Sequence, residues 1–383
     1  MTADELFQVL VQAAGEERAV GEKWHLRFFL DGEAIDPPRE LLPRVEDQSL
    51  EGHAARVEEA CPGRGFGIIL NNYHRFDARL WARLRDFFGS WFSRTGFPPG
   101  GATADVFVGN YSRTPFGVHR DTLDVFTSVV AGRKRLLAWP AHVFEGVDAP
   151  TKDYSRYLEQ ATVLEGEAGD LFYWPSSHWH IAESTGGLTA TLALGEFRDP
   201  VPDVLHADMV RVLERARFPT EGLLDDASHH VRSGAAQVMP DPLREAVEVV
   251  SESLRRSVVI QWAKRVSNHG LVPPPPRADE LSLDEIIRCP PDHPIVVLGD
   301  GDLLILGASG RMLPVPDFPQ IVALVEELNT GARVRVEELV QRYSGESSDE
   351  DGAGSVDAEA LLDILQTLHS FRAFEVGGGV EAS

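Results

Sequence analysis

The sequence predicts an α+β fold in which a β-barrel or sandwich is flanked by helices. Many short β-rich runs, separated by Gly, Pro and Asp, follow Pro99, and strands of this length and spacing form barrels or sandwiches. Helical patterns of apolar residues stand before and after these runs. Four consecutive prolines at residues 273–276 then separate a smaller C-terminal part of the 383-residue chain.

The N-terminal elements are two helices and a strand. Apolar residues at helical spacing predict a helix over residues 3–13 and another over about residues 77–93. The run K-W-H-L-R-F-F-L predicts a strand over residues 23–30. We expect both helices to pack beside a sheet, because each carries its apolar residues on one face.

The central strands are followed by two further helices. The strands are predicted at residues 104–108, 125–130, 134–139, 170–174 and 188–197. Beyond residue 200 the spacing predicts helices over residues 203–216 and 241–267. The second of these is long enough to form a dimer interface or a scaffold.

The proline run predicts an extended, semi-rigid linker before a separate C-terminal domain. That domain has predicted strands at residues 295–298 and 303–306 and predicted helices at 318–329, 336–343 and 357–371. Its pattern is typical of a winged-helix-like domain, with an acidic low-complexity insert at residues 344–355. We therefore divide the chain into a catalytic domain (1–200), a helical dimerisation or scaffold region (201–272) and a winged-helix-like domain (279–383).

The composition excludes several classes of protein. Hydrophobic residues make up 43% and charged residues 25%, as in soluble globular proteins. The formal net charge of −24 disfavours direct binding to nucleic acid or anionic membranes and favours a basic partner. Cys61 and Cys289 lie far apart, and no secretory or membrane-spanning pattern is present. We expect a cytoplasmic protein without a membrane segment.

Two His-x-Asp triplets occur in the chain, and only one lies in a strand-like context. With 13 histidines and 60 acidic residues, roughly two His-x-acid triplets are expected by chance, so the triplet alone carries no information. His206 and Asp208 lie in a predicted helix, where residues two apart point in different directions. His119 and Asp121 come just before a β-rich run, where residues two apart share a face. This pair can present an imidazole and a carboxylate to one metal ion.

A third ligand is expected from a later strand. The segment G-D-L-F-Y-W-P-S-S-H-W-H, residues 169–180, supplies two candidates, His178 and His180. Two imidazoles and one carboxylate form the facial triad of non-haem Fe(II) oxygenases, which leaves three coordination positions open. Two of these positions can take a bidentate 2-oxo acid, and the third can take dioxygen.

Two stretches within about residues 104–197 resemble the JmjC/cupin-like Fe(II)- and 2-oxoglutarate-dependent oxygenases, and in particular the protein hydroxylases of the ribosomal-oxygenase type. They are G-V-H-R-D-T-L-D-V-F-T-S-V-V-A-G-R-K-R, which begins at Gly117, and the histidine-bearing segment at 169–180. The resemblance implies a double-stranded β-helix (jelly-roll) barrel. It also implies Fe(II) as the metal, 2-oxoglutarate as cosubstrate and dioxygen as oxidant.

The same resemblance implies the roles of individual residues. In that family the distal histidine follows the turn proline by five residues, which selects His180 over His178 after Pro175. The iron ligands are then His119, Asp121 and His180. A Lys or Arg fifteen residues after the first histidine binds the distal carboxylate of 2-oxoglutarate, and here this residue is Lys134. Arg133 and Arg135 are the alternatives beside it.

The chain departs from the family in the residues expected around the cosubstrate. Several members have Thr or Asn three residues before the first histidine, where this chain has Phe116. Tyr111 and Thr114, slightly earlier, are therefore the candidate partners of 2-oxoglutarate. Ser176 and Ser177 stand where relatives have Pro-Gly.

The predicted function is hydroxylation of a side chain in a protein or peptide. The negative charge favours a basic polypeptide substrate, and the resemblance implies a homodimer. Two alternatives remain open at this point: hydroxylation of a small molecule or a biosynthetic precursor peptide, and a catalytically silent cupin binding protein.

Overall fold

The computed structural model describes residues 1–16, 26–147, 153–184, 187–198, 201–215, 241–301, 303–345 and 355–377. Three predicted features extend outside these ranges: the acidic insert at 346–354, the first strand at 23–25 and the helix ending at residue 216. Among the described residues, no helix combines the length and apolar character needed to cross a membrane.

The helices occupy the predicted positions, with one addition. Within the described residues they are α1 (Ala3–Gly15), α2 (Leu50–Ala60), α3 (Ala78–Thr95), α4 (Val201–Arg215), α5 (Asp241–Val266), α6 (Pro319–Asn329), α7 (Val336–Tyr343) and α8 (Ala358–Ser370). Thr2 and Asp77 cap α1 and α3 through side-chain hydrogen bonds to the first turn. The additional helix is α2, whose buried face is Leu50, His53 and Val57. The histidine interrupts the apolar spacing that reveals a helix in sequence.

The larger sheet forms one wall of a cavity in the protein. Its described strands are β1 (Leu26–Leu30), β2 (Glu33–Ile35), β3 (Phe66–Leu70), β4 (Gly101–Gly109), β5 (Leu123–Ala131), β8 (Leu171–Trp174) and β10 (Thr189–Phe197). The order across this sheet is β2-β1-β3-β4-β10-β5-β8. Every residue of β3 is buried, so this unpredicted strand has no alternation of polar and apolar residues to mark it. α1, α2 and α3 share a hydrophobic core with this sheet.

A smaller sheet provides the opposite wall. Its described strands are β6 (Arg133–Pro140), β7 (Thr162–Glu167) and β9 (His178–Ser184), in the order β7-β6-β9. The two sheets meet in a shared cluster, where Leu136 of β6 packs with Val125 and Val129 of β5. A cavity lies between the sheets.

The C-terminal part has its own hydrophobic core. Its described strands are β11 (Ile286–Arg288), β12 (Val296–Asp300), β13 (Leu303–Ala308), β14 (Arg311–Pro316), β15 (Val334–Arg335) and β16 (Glu375–Gly377). They form two three-stranded sheets in the orders β12-β13-β14 and β15-β11-β16. α6, α7 and α8 pack with them in a core whose buried residues all lie between Leu281 and Phe374.

The segment after α5 belongs to the N-terminal core. Asn268 is fully buried and accepts a hydrogen bond from the indole Nε1 of Trp81 on α3 at 2.8 Å. Leu271 lies in the same core as α1, α2 and α3. Gly270 has φ +79°, and a Cβ there would lie 2.3 Å from the Cα of Gly101, so the close approach of these two segments requires glycine.

Candidate metal centre

His119 and His180 lie directly opposite each other on antiparallel chain segments. The backbone N–H of His119 donates to the carbonyl of His180 at 3.1 Å, and the reverse hydrogen bond is 2.8 Å long. Residues paired in this way present their side chains on the same face, and here the ring centroids are 4.4 Å apart. The register of this pairing therefore brings the two imidazoles together.

Asp121 completes the group. Its Oδ1 lies 3.5 Å from Nε2 of His119, and its Oδ2 lies 3.4 Å from Nε2 of His180. The potential ligand atoms of the three residues all lie within 4.8 Å of one another. Adjacent ligands of an octahedral ion bound at about 2.1 Å are about 3 Å apart. The three side chains therefore suit a divalent cation with small adjustments.

The tautomer of His119 also suits metal binding. Its Nδ1 lies 2.9 Å from the carbonyl oxygen of Gly117. Because a carbonyl only accepts, Nδ1 carries a proton, and Nε2 is the ring nitrogen that faces Asp121. Gly117 has φ +73°, a left-handed conformation that glycine adopts readily. An imidazole held by a backbone carbonyl is the usual arrangement of a metal-binding histidine.

The surroundings favour an added cation. Burial lowers the pKa of His180 to about 3, and charge on His119 acts in the same direction. The His180 imidazole is therefore neutral at pH 7. Burial also raises the pKa of the Asp121 carboxyl. Three electron-pair donors thus converge where a metal ion would compensate for their removal from water.

The other histidine candidates lie outside this group. His178 is half-buried at the start of β9, and its Nδ1 lies 3.1 Å from the hydroxyl of Ser177. His206 on α4 is exposed, whereas the Asp208 side chain is fully buried and pairs with Arg211. The second His-x-Asp triplet therefore points in two directions, as its helical context predicts.

The three residues open into a cavity of about 370 Å³ between the two sheets. Much of its wall is apolar and is formed by Phe107, Leu123, Val125, Leu136, Phe172 and Ala193. Trp174 lines the cavity next to the centre, with its ring 5.0 Å from that of His180. The volume is in the range of small-molecule sites.

Lys134 is the buried cation of this cavity. Its residue is 3% exposed, and its Nζ donates to the hydroxyl of Tyr111 at 3.1 Å. No carboxylate of the described residues forms an ion pair with Lys134. Thr114 and Trp174 line the same cavity, and within the described part of the chain the buried Thr114 hydroxyl and Trp174 indole N–H have no hydrogen-bond partner. A ligand carboxylate would satisfy such groups, which are costly to leave unpaired.

The neighbouring arginines are placed differently. Arg133 is exposed, and Arg135 forms an ion pair with Glu183. Tyr111 does not line the cavity; it packs behind Lys134, whose Nζ is 4.6 Å from the Tyr111 ring centroid. A Cβ at Gly109 would lie 2.5 Å from that ring. Tyr111 therefore contacts Lys134, which lines the cavity, and does not line it directly.

The cavity wall also contains polar residues that the sequence did not predict, among them Arg27, Asn71 and Asp105. They come from β1, the segment after β3 and β4, and no motif joins them. Burial raises the pKa of the Asp105 carboxyl to about 6. The signal in the sequence that could have indicated this wall is Asp105, the single acidic residue among the apolar residues of β4.

Comparisons with known proteins identify similar solved structures only. No family model matches the chain, and no curated protein matches it. A crystal structure of YcfD from Escherichia coli matches 98% of this chain and 91% of that chain, with 16% identity and a TM-score of 0.49. A structure described as YcfD, a ribosomal oxygenase from Escherichia coli in complex with cobalt and 2-oxoglutarate, covers 99% and 91%, with 15% identity and a TM-score of 0.48. The chain is thus similar to solved structures of YcfD over nearly its whole length.

Proposed function

We propose that this protein is an Fe(II)- and 2-oxoglutarate-dependent oxygenase that hydroxylates a side chain of a protein or peptide. The observation that carries this proposal is the convergence of His119, Asp121 and His180 at a cavity that also holds Lys134. Two imidazoles and one carboxylate leave half of an octahedral ion free for other ligands. A buried cation that has no carboxylate partner among the described residues provides the site for an anionic cosubstrate.

The strand pairing supports a double-stranded β-helix. The eight segments of such a fold would be β4, residues 112–119, and then β5 to β10 in chain order. In spatial order, the larger sheet then contains segments one, eight, three and six, which are β4, β10, β5 and β8. The smaller sheet contains segments two, seven, four and five, which are residues 112–119, β9, β6 and β7. This order interleaves the two sheets along the chain, as in a jelly roll.

The residues of the cavity have two tasks in the proposed reaction, which are to hold the metal ion and to bind the cosubstrate. His119, Asp121 and His180 would hold Fe(II), and Lys134 would bind the distal carboxylate of 2-oxoglutarate, with Thr114 donating a further hydrogen bond. When bound, Fe(II) would supply the chemistry in which dioxygen gives one oxygen atom to 2-oxoglutarate, which becomes succinate and carbon dioxide, and the other to a substrate C–H bond, which becomes C–OH. The apolar wall excludes water from this reaction.

The charge supports a basic polypeptide substrate. The net charge of −24 attracts cationic chains. Asp105 and Asn71 on the cavity wall provide acceptors for a side chain with N–H donors.

Cellular context and assembly also belong to the proposal. Cys61 and Cys289 are both free, in keeping with a cytoplasmic protein. We expect a homodimer through the helical region, where Leu205, Met209 and Trp262 are more than one-third exposed. We assign no direct nucleic-acid binding to an acidic chain.

The proposal is tested by loading the purified protein anaerobically with Fe(II) and 2-oxoglutarate. We expect a weak visible charge-transfer band, and succinate once air is admitted. A protein that shows neither is a silent binding protein. Incubation with cell-derived polypeptides, followed by mass spectrometry for the gain of one oxygen, then identifies the substrate. Oxygen gain in small molecules alone contradicts the polypeptide assignment.

We further propose that residues from about 279 onward form a winged-helix-like module for substrate capture. The separate core of this part supports its independence. The linker carbonyls of Pro274 and Pro275 accept hydrogen bonds from Arg311 and Arg372 of the module. All proposed iron and cosubstrate residues lie before residue 181.

A chain ending at Arg277 should therefore keep metal-dependent 2-oxoglutarate turnover but lose most hydroxylation of the polypeptide substrate. Arg277 is chosen because Leu271, which is 4% exposed, belongs to the N-terminal core; a chain ending at Gly270 should be less stable. Succinate formation, oxygen incorporation and thermal unfolding are measured against the full chain. Loss of succinate formation in the chain ending at Arg277 would contradict the separation of tasks. Unchanged polypeptide hydroxylation would contradict the capture role.

A further inference from the structure

We propose that Asp124 is a positioning residue that sets the distance between Asp121 and His180 and thereby the metal affinity of the centre. This inference rests on the proposed metal role of those two residues. Asp124 follows Asp121 by three positions, at the start of β5, and is 4% exposed. Its carboxylate contacts the chain that leads into β9.

The contact joins the two segments that carry the ligands. Oδ1 of Asp124 accepts a hydrogen bond from the backbone N–H of Ser176 at 2.7 Å. Ser176 lies in the turn between β8 and β9, four residues before His180. The backbone pairing of β5 with β8 ends at Val125 and Trp174. The Asp124 carboxylate therefore continues the connection where the ladder stops.

The carboxylate is itself held from its other side. Its Oδ2 accepts a hydrogen bond from the Tyr173 hydroxyl at 3.0 Å and lies 3.0 Å from Nε of Arg198. Burial alone would raise the pKa of the Asp124 carboxyl. The hydrogen bonds from Ser176 and Tyr173 and the charge of Arg198 outweigh burial and keep this pKa below its usual range. The Ser176 N–H thus donates to a charged acceptor, which makes a strong hydrogen bond.

The turn is closed on itself as well. The N–H of His178 donates to the carbonyl of Pro175 at 3.1 Å, which ties the turn to the start of β9 as one hydrogen-bonded unit. Displacement of this unit would shift the entry of β9 and the Nε2 atom of His180. Removal of a hydrogen bond made directly to a metal ligand typically weakens metal binding about 10–100-fold. Because Asp124 acts on His180 through the backbone from Ser176, we expect a loss at the lower end of that range.

The chain offers a matched control in Asp47. The Asp47 side chain is 3% exposed and accepts from Nε of Arg56 at 2.6 Å and from the backbone N–H of Arg44 at 3.0 Å. Its side chain is about as buried and hydrogen-bonded as that of Asp124, but its partners, Arg44 and Arg56, do not lie on the segments that carry the proposed metal ligands. Asp47→Ala thus reports what the loss of a buried carboxylate does to stability alone.

The experiment titrates wild type, Asp124→Ala, Asp124→Asn and Asp47→Ala with Co²⁺, without 2-oxoglutarate, and follows the visible absorption of the bound ion. We expect Asp124→Ala to bind Co²⁺ about tenfold more weakly, the lower end of what the loss of a hydrogen bond to a metal ligand costs. Asp124→Asn, which keeps an acceptor for Ser176, should recover part of this affinity. Asp47→Ala should bind like wild type.

Four outcomes distinguish the possibilities. No Co²⁺ binding by wild type would overturn both the proposed function and this inference. Wild-type affinity in Asp124→Ala, or equal losses in Asp124→Ala and Asp47→Ala, would overturn this inference alone. If circular dichroism shows that Asp124→Ala is unfolded, Tyr173→Phe replaces it, because Tyr173 is 43% exposed. Removal of that donor should weaken Co²⁺ binding severalfold, and unchanged affinity would overturn the inference.

Discussion

Replacement of His180 by alanine is expected to abolish metal-dependent turnover of 2-oxoglutarate. The imidazole is one of three protein ligands in the proposed centre, and its Nε2 lies 3.4 Å from Oδ2 of Asp121. Two remaining ligands cannot keep the ion in a facial arrangement. We expect metal affinity to fall at least about 100-fold, beyond what the loss of a supporting hydrogen bond costs. Equilibrium titration with Co²⁺ and succinate formation with Fe(II) measure the two effects.

His178→Ala is the matched control for this variant. The two histidines lie two residues apart on β9, but His178 contacts the Ser177 hydroxyl and is not part of the convergent group. Metal affinity and turnover should stay within about threefold of wild type, because no proposed ligand is removed. Loss of metal by His178→Ala with retention by His180→Ala would show that the register of the distal strand is wrong.

Replacement of Lys134 by methionine is expected to raise the 2-oxoglutarate concentration needed for half-saturation by about tenfold to a few hundredfold. This range corresponds to the loss of one charge-assisted contact worth about 1.5–3 kcal/mol. Methionine keeps an unbranched stem of similar length, so the buried position remains filled. Metal affinity in the absence of 2-oxoglutarate should not change. Succinate formation across a 2-oxoglutarate series, together with Co²⁺ titration, separates the two effects.

The same variant should unfold at no lower temperature than wild type when no ligand is bound. Lys134 is 3% exposed and, within the described ranges, forms no ion pair with a carboxylate, so its charge is costly in the free protein. Lys134→Arg should retain part of the cosubstrate affinity. Arg133→Met, at the exposed neighbouring position, is the control and should leave saturation unchanged. Normal saturation by Lys134→Met would place the cosubstrate anchor elsewhere.

The positions of most elements could be predicted because local spacing determines them. The apolar face of α3 and the β-rich run of β10 appear in sequence at nearly their final bounds. α2 and β3 were missed for a physical reason. α2 has a buried histidine in its apolar face, which breaks the helical spacing of apolar residues. β3 is buried on both sides, so its residues do not alternate between polar and apolar as in a half-exposed strand.

Within the site, local sequence patterns identify the residue types that can bind a metal ion or an anion. His119 and Asp121 can be paired from the sequence, because residues two apart on a strand share a face. The choice of His180 over His178 and of Lys134 over its neighbours came from the resemblance to an oxygenase family. The structure places His180 in the convergent group and Lys134 in the buried wall.

Which distant segments of the chain meet depends on the three-dimensional pairing of the strands. The pairing of His119 with His180, the polar wall at Arg27 and Asp105, and the hydrogen bond from Ser176 to Asp124 each join segments far apart in sequence. Such contacts depend on sheet register, and a shift of one residue would turn each side chain to the other face. Local patterns reveal which residues can bind a metal or a carboxylate, but only the register brings them to one point.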